Sequence, residues 1–202
     1  MRPPLLIRSH FGEPPKRVRE LIAEGRVITR NEWEVEPGHI REASGVLTTM
    51  HLDQIRALGW RDAFEVLLNA GGRVGINGHV ARPFIVGLES YVPLPHQSLA
   101  DLRFDVLAPH SIFAGIDRLE WRTSKGVAGF YGRGHNPMPE GGIALTGIGP
   151  GHRPIDWVWH RSGGGVVFSH AGNDLWGMSE SEGKGAKVVD NLIAWAAGEL
   201  EP

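Results

Sequence analysis

The sequence predicts an α/β fold with a mostly parallel central sheet, on three observations. The short apolar run Leu5-Leu6-Ile7 and the β-branched stretch Ser44 to Met50 read as strands. Stretches carrying Val18, Leu21 and Ile22, or Ile55, Leu58, Phe64, Leu67 and Leu68, space their apolar residues as a helix does. The connections between them are short, the pattern of strands crossing through helices into a parallel sheet.

The elements follow in order. Leu5 to Arg8 is the first strand, and Ser9-His10-Phe11-Gly12 the turn after it. Pro14-Pro15 opens the first helix and Gly25 closes it. Arg26 to Thr29 is a second strand and Ser44 to Met50 a third. The helical stretch after it is predicted to kink at Gly59-Trp60 and to stop at Gly71-Gly72, before a strand from Arg73 to Asn77. Residues 81–119 are broken by four prolines and read as loops and short strands. Val127–Tyr131, Ile143–Thr146, Ile155–Trp159 and Val166–Ser169 read as strands. The last helix is placed near Ser179, with Ser179 and Glu182 as a capping box.

Residues 1–202 suit a single domain, large enough to bury a core unaided. The net charge of −2 and the scattered basic residues exclude an electrostatic footprint for nucleic acid. Lys16, Arg17 and Arg19 read as the solvated face of a helix. No apolar run is long enough for a signal peptide or a membrane span, so a cytoplasmic protein is expected. The chain has no cysteine, and so no disulfide, thiolate metal site or cysteine nucleophile. Gly132-Arg133-Gly134 and Gly147–Gly151 lack the strand-then-helix setting of a dinucleotide site, and no cofactor is expected.

Ligands of open parallel sheets sit beyond the carboxyl ends of the strands. The predicted strand ends carry Ser9-His10, His51, Asn77-Gly78-His79, His135-Asn136 and His170 with Asn173-Asp174. These groups suit acid/base work, hydroxyl recognition or a metal cage. Trp176, directly after them, is the best tryptophan for stacking on a sugar ring.

Several segments resemble one family. Gly71–His79, His110–Ile116, and Pro154–Trp157 followed by Gly163–Phe168 and Ser169–Asp174 are similar, in order and spacing, to motifs of ThuA-like proteins. That family is named for trehalose utilisation and belongs to the class I glutamine amidotransferase-like superfamily. The resemblance implies a flavodoxin-like three-layer α/β/α sandwich. It also implies that Asn77 stands where glutaminase relatives carry their nucleophilic cysteine, which excludes hydrolysis through a thioester.

Three readings follow. In the first, the chain acts on or binds a carbohydrate, with His79 or His170 as acid/base, Asp174 as orienter, and His51, Asn77, His135, Asn173 and Trp176 holding the substrate. In the second it is a metal-dependent hydrolase using His51, His79, His135, His170 and Asp174. In the third it is a non-catalytic interaction module. The expected partner is a small molecule such as a sugar, with homo-oligomerisation left open.

Overall fold

Strands buried on both faces favour apolar side chains, and Leu5–Ile7 of β1 (Leu5–Arg8) and Val46–Leu47 of β3 (Gly45–Thr48) supply them. The computed structural model describes all residues except 1, 11, 125–126 and 181–183. Between these strands lie helix α1 (Lys16–Ala23), strand β2 (Ile28–Asn31) and helix α2 (Pro37–Glu42). Helices α3 (Gln54–Leu58) and α4 (Arg61–Asn69) then lead to β4 (Arg73–Asn77). Strands β5 (Val92–Pro93), β6 (Phe104–Val106), β7 (Thr123–Ser124), β8 (Val127–Ala128) and β9 (Gly134–His135) are short. The chain closes with β10 (Ile143–Ile148), β11 (Arg153–His160), β12 (Val166–His170) and helix α5 (Lys184–Ala196).

Eight strands form the main sheet in the order β2-β1-β3-β4-β12-β11-β10-β6. The first five run parallel, and β11, β10 and β6 join antiparallel. The switch is dictated by loop length: the connections at 149–152 and 161–165 are too short for anything but hairpins. Alternate strand residues point to opposite faces. Leu6, Leu47 and Phe168 pack with Val18 and Leu21 of α1 and Leu192 and Trp195 of α5. Leu5, Ile7, Val46 and Val74 pack with Ile40 of α2 and Phe64 and Leu67 of α4.

Several expectations are corrected. Strand β2 begins two residues later than the sequence suggests, and α2 has no counterpart among the expected elements. Ile55 and Leu58 are exposed at 66% and 37%. The break before Arg61 separates α3 from α4, so one helical period does not run through both. The strand expected over Val127–Tyr131 stops at Ala128, because Gly129 is left-handed (φ 68°) and turns Tyr131 into the core. Segment 81–119 contributes β6 to the edge of the main sheet. Ser179 lies in a 3-10 turn over Leu175–Glu180, and Glu182, its expected capping partner, lies outside the described residues. Among the described residues, no helix is long and apolar enough to cross a membrane.

The parallel strands β1, β3, β4 and β12 deliver their carboxyl ends to one edge of the sheet. Residues 9–10, 49–51, 78–79 and 171–174 therefore meet there.

Candidate functional site

At that edge, Ser9 Oγ and Thr49 Oγ1 lie 3.0 Å apart and tie the loop after β1 to the loop after β3. The rings of His10 and His51 meet edge to face at 5.3 Å. Both line a cleft of about 630 Å³ with Arg8, Thr49, Asp174 and the segment leading into α1. The Asp174 carboxylate accepts the backbone N–H groups of Trp176 (3.4 Å) and Met50. Burial nonetheless raises its pKa from 3.8 to about 6, against the lowering effect of those N–H groups, His170 and His51. A carboxyl with that proton affinity, in an open cleft beside two imidazoles, can give or take a proton near neutral pH.

The shift carries a stability signature. A carboxylate whose pKa is raised on folding binds its proton more tightly in the native state. Asp174 therefore makes stability fall as pH rises from about 4 to about 6. At about 1.4 kcal/mol per pKa unit, the whole effect is about 3 kcal/mol. Urea unfolding should show Asp174→Asn gaining on the wild type across that window and holding its lead above it. Identical pH profiles for the two proteins would refute the assignment.

His170 does different work from that expected. It is fully buried. Its Nδ1 lies 2.6 Å from Asp156 Oδ1, and its Nε2 lies 2.8 Å from the Asn173 carbonyl oxygen. Asp156 Oδ2 accepts the Tyr131 hydroxyl at 2.6 Å, and burial followed by Asp156 drives that hydroxyl's pKa well above its ordinary value. The orienter of His170 is thus Asp156, not Asp174. Both ring nitrogens face oxygen atoms, one of Asp156 and one of Asn173. The ring lines neither cleft described here. It pins the loop that carries Asn173 and Asp174.

The remaining candidates divide. His79 is exposed and stacked on Tyr91 with centroids 3.6 Å apart. It lines a second, smaller cleft of about 280 Å³ with Met50, Arg133 and Asn173. Partial burial lowers its pKa, and His170 lowers it further. Met50 and the loop at 172–174 separate the two clefts, so His79 does not share a cavity with His51 and Asp174. The Asn173 amide donates to the Phe130 carbonyl. Trp176 lines the first cleft but is largely buried, and its Nε1–H is held by the Thr48 carbonyl at 3.0 Å. His135 is buried in β9, opposite Val92, away from both clefts. The five groups of the metal-hydrolase reading are therefore dispersed, and the described residues hold no cluster of three carboxylate or imidazole ligands.

Asn77 is buried as well. Its backbone N–H donates to Thr48 Oγ1 at 3.2 Å, and its Oδ1 accepts the Leu175 N–H at 3.2 Å. Asn136 supports the same turn. It accepts from Val80 N–H (2.9 Å) and donates to the Gly78 carbonyl (3.0 Å) and Ser169 Oγ (2.9 Å). Arg8, Tyr131 and Asp156 escaped the sequence reading of roles, and Asn136, named there among the strand-end groups, braces the turn instead. The position of Arg8 at the end of the first strand, and a carboxylate inside the run Pro154–Trp157, were the available signals.

No protein-family model and no curated protein matches the sequence. A solved structure from Thermoplasma acidophilum, described as that of a candidate GMP synthase subunit, is similar in fold. It aligns with a TM-score of 0.59 and 11% identity, over 98% of this chain and 96% of that one. The likeness shows a shared α/β fold built on a mostly parallel central sheet.

At the turn after β4 the chain departs from a nucleophile elbow. That device needs a sharp turn into a helix, whereas residues 78–91 hold no helix. The left-handed residue is Gly78 (φ 88°), and a Cβ there would come within 2.7 Å of Met50 Cβ. The N–H groups of Asn77, Gly78 and Val80 are committed to Thr48, His170 and Asn136. They do not form an oxyanion hole.

Proposed function

We propose that the chain is a ThuA-like protein that binds a carbohydrate or sugar derivative in the His51–Asp174 cleft and acts on it by proton transfer, without glutaminase chemistry. The observation that carries this reading is Asp174, with a pKa of about 6 in a cleft of about 630 Å³ beside His10 and His51. Sugar hydroxyls both donate and accept hydrogen bonds. A carboxyl, two imidazoles and the Thr49 hydroxyl answer both needs. Asp174 is the acid/base and His51 its neighbour across the cleft. The sequence motifs shared with ThuA-like proteins support the substrate class, and the lack of any cysteine closes the thioester route.

Calorimetric titration with neutral aldoses, aldonates, uronates and sugar phosphates tests the reading. At least one should bind at millimolar concentration or tighter. Asp174→Asn and His51→Ala should each weaken it about tenfold or more, the loss expected from one hydrogen bond to a charged group. Absence of binding across the panel, or equal binding by both variants, would overturn it.

A further inference from the structure

We infer that this cleft selects an anionic ligand, whose carboxylate or phosphate is held by Arg8 beside the first turn of α1. The inference deepens the proposed function and rests on the cleft being a ligand site.

The arginines are treated unequally. Arg17 engages Asp190 and Glu20, Arg19 engages Glu13, Arg26 engages Glu199 and Arg161 engages Glu65. Arg8, partly buried at the end of β1, bonds the Gly12 carbonyl and, like Arg73 and Arg118, forms no ion pair among the described residues; it differs from those two in lining the cleft. Burial lowers its pKa, so its charge sits where water solvates it poorly. A partly desolvated guanidinium facing a cleft is stabilised when a ligand brings the missing anion, and its planar fork suits carboxylate and phosphate alike.

The surroundings agree. Lys16 and Arg19 stand on the rim, each beside a carboxylate, Glu20 and Glu13 respectively. Pro14, Pro15 and Lys16 line the wall where α1 begins, and that helix has neither a side-chain cap nor an acidic residue in its first turn. Its N–H groups add positive potential to that provided by Arg8. Of the two carboxylates lining the cleft, Glu13 is held by Arg19, and Asp174 is bound by backbone N–H groups of Trp176 and Met50.

The test titrates the whole chain with inorganic phosphate, glucose, glucuronate and glucose 6-phosphate, in wild type, Arg8→Gln and Arg8→Lys. Phosphate alone should shift the His10 and His51 ring signals in NMR spectra. Glucuronate or glucose 6-phosphate should bind at least tenfold more tightly than glucose, and whichever wins separates carboxylate from phosphate recognition. Arg8→Gln should erase that preference and Arg8→Lys should keep part of it. Should Arg8→Gln fail to fold, loss of the wild-type preference at high salt carries the same information. Glucose binding as tightly as its charged counterparts would overturn the inference and leave the carbohydrate reading standing. Arg8-dependent phosphate binding with no sugar bound would overturn the carbohydrate reading and keep the inference. No binding of any probe would sink both.

Discussion

Replacing Asp156 with alanine is expected to cost about 3 kcal/mol or more, because two buried groups lose their shared partner at about 1–3 kcal/mol each. The substitution strips the acceptor from His170 Nδ1 and from the Tyr131 hydroxyl, in a region with no measurable solvent exposure. His170 would keep only its Nε2 contact with the Asn173 carbonyl, and Nδ1 would be left buried without a partner. Urea denaturation measures the loss, and the Asp156→Ala/His170→Ala pair measures the coupling. The double variant should lose well under the sum of the two single losses. A loss below about 1 kcal/mol in Asp156→Ala would show that the pair is not the anchor described. Binding in the cleft should weaken with stability, because the same pair holds the loop that carries Asp174.

Asn136→Ala is the second large effect. The side chain satisfies the Val80 N–H and the Gly78 carbonyl and bonds Ser169 Oγ, all within 3.0 Å and all out of water. Each orphaned buried group costs about 1–3 kcal/mol, so a total near ~3 kcal/mol is expected. Asn136→Asp should not rescue it, because the carboxylate accepts from Val80 but cannot donate to Gly78 or Ser169. Amide exchange at Val80 should accelerate in both variants. Unchanged protection of that amide would contradict the assigned role.

The first half of the fold was legible because its strands are continuous apolar runs separated by amphipathic helices, as Leu5–Ile7, Val18–Leu21 and Val46–Leu47 illustrate. The second half was less so. Whether β11 runs parallel or antiparallel to β12 depends on the turn at 161–165 and not on any property of the strands themselves. Short β6 carries no periodic signal and owes its place to pairing with β10. At the site, strand ends pointed to His51 and Asp174, which line one cleft. They could not distinguish a histidine facing solvent from one facing a carboxylate 14 residues away in the chain. His170 and His79 look alike in the sequence. One meets Asp156 across a hairpin, and the other meets Tyr91 at the surface. Asp156 itself sits mid-strand, where sequence patterning marks only an interruption.

Gly78 bears on the history open to this chain. A thiol placed at 77 would arise beneath the Leu175 amide and cut the tether between β4 and the 3-10 turn. A thiol placed at 78 would push against Met50, whose backbone N–H holds Asp174. Neither single replacement yields an accessible nucleophile without damaging the neighbouring cleft. Installing a thiol at this turn therefore demands compensating changes around Leu175 or Met50.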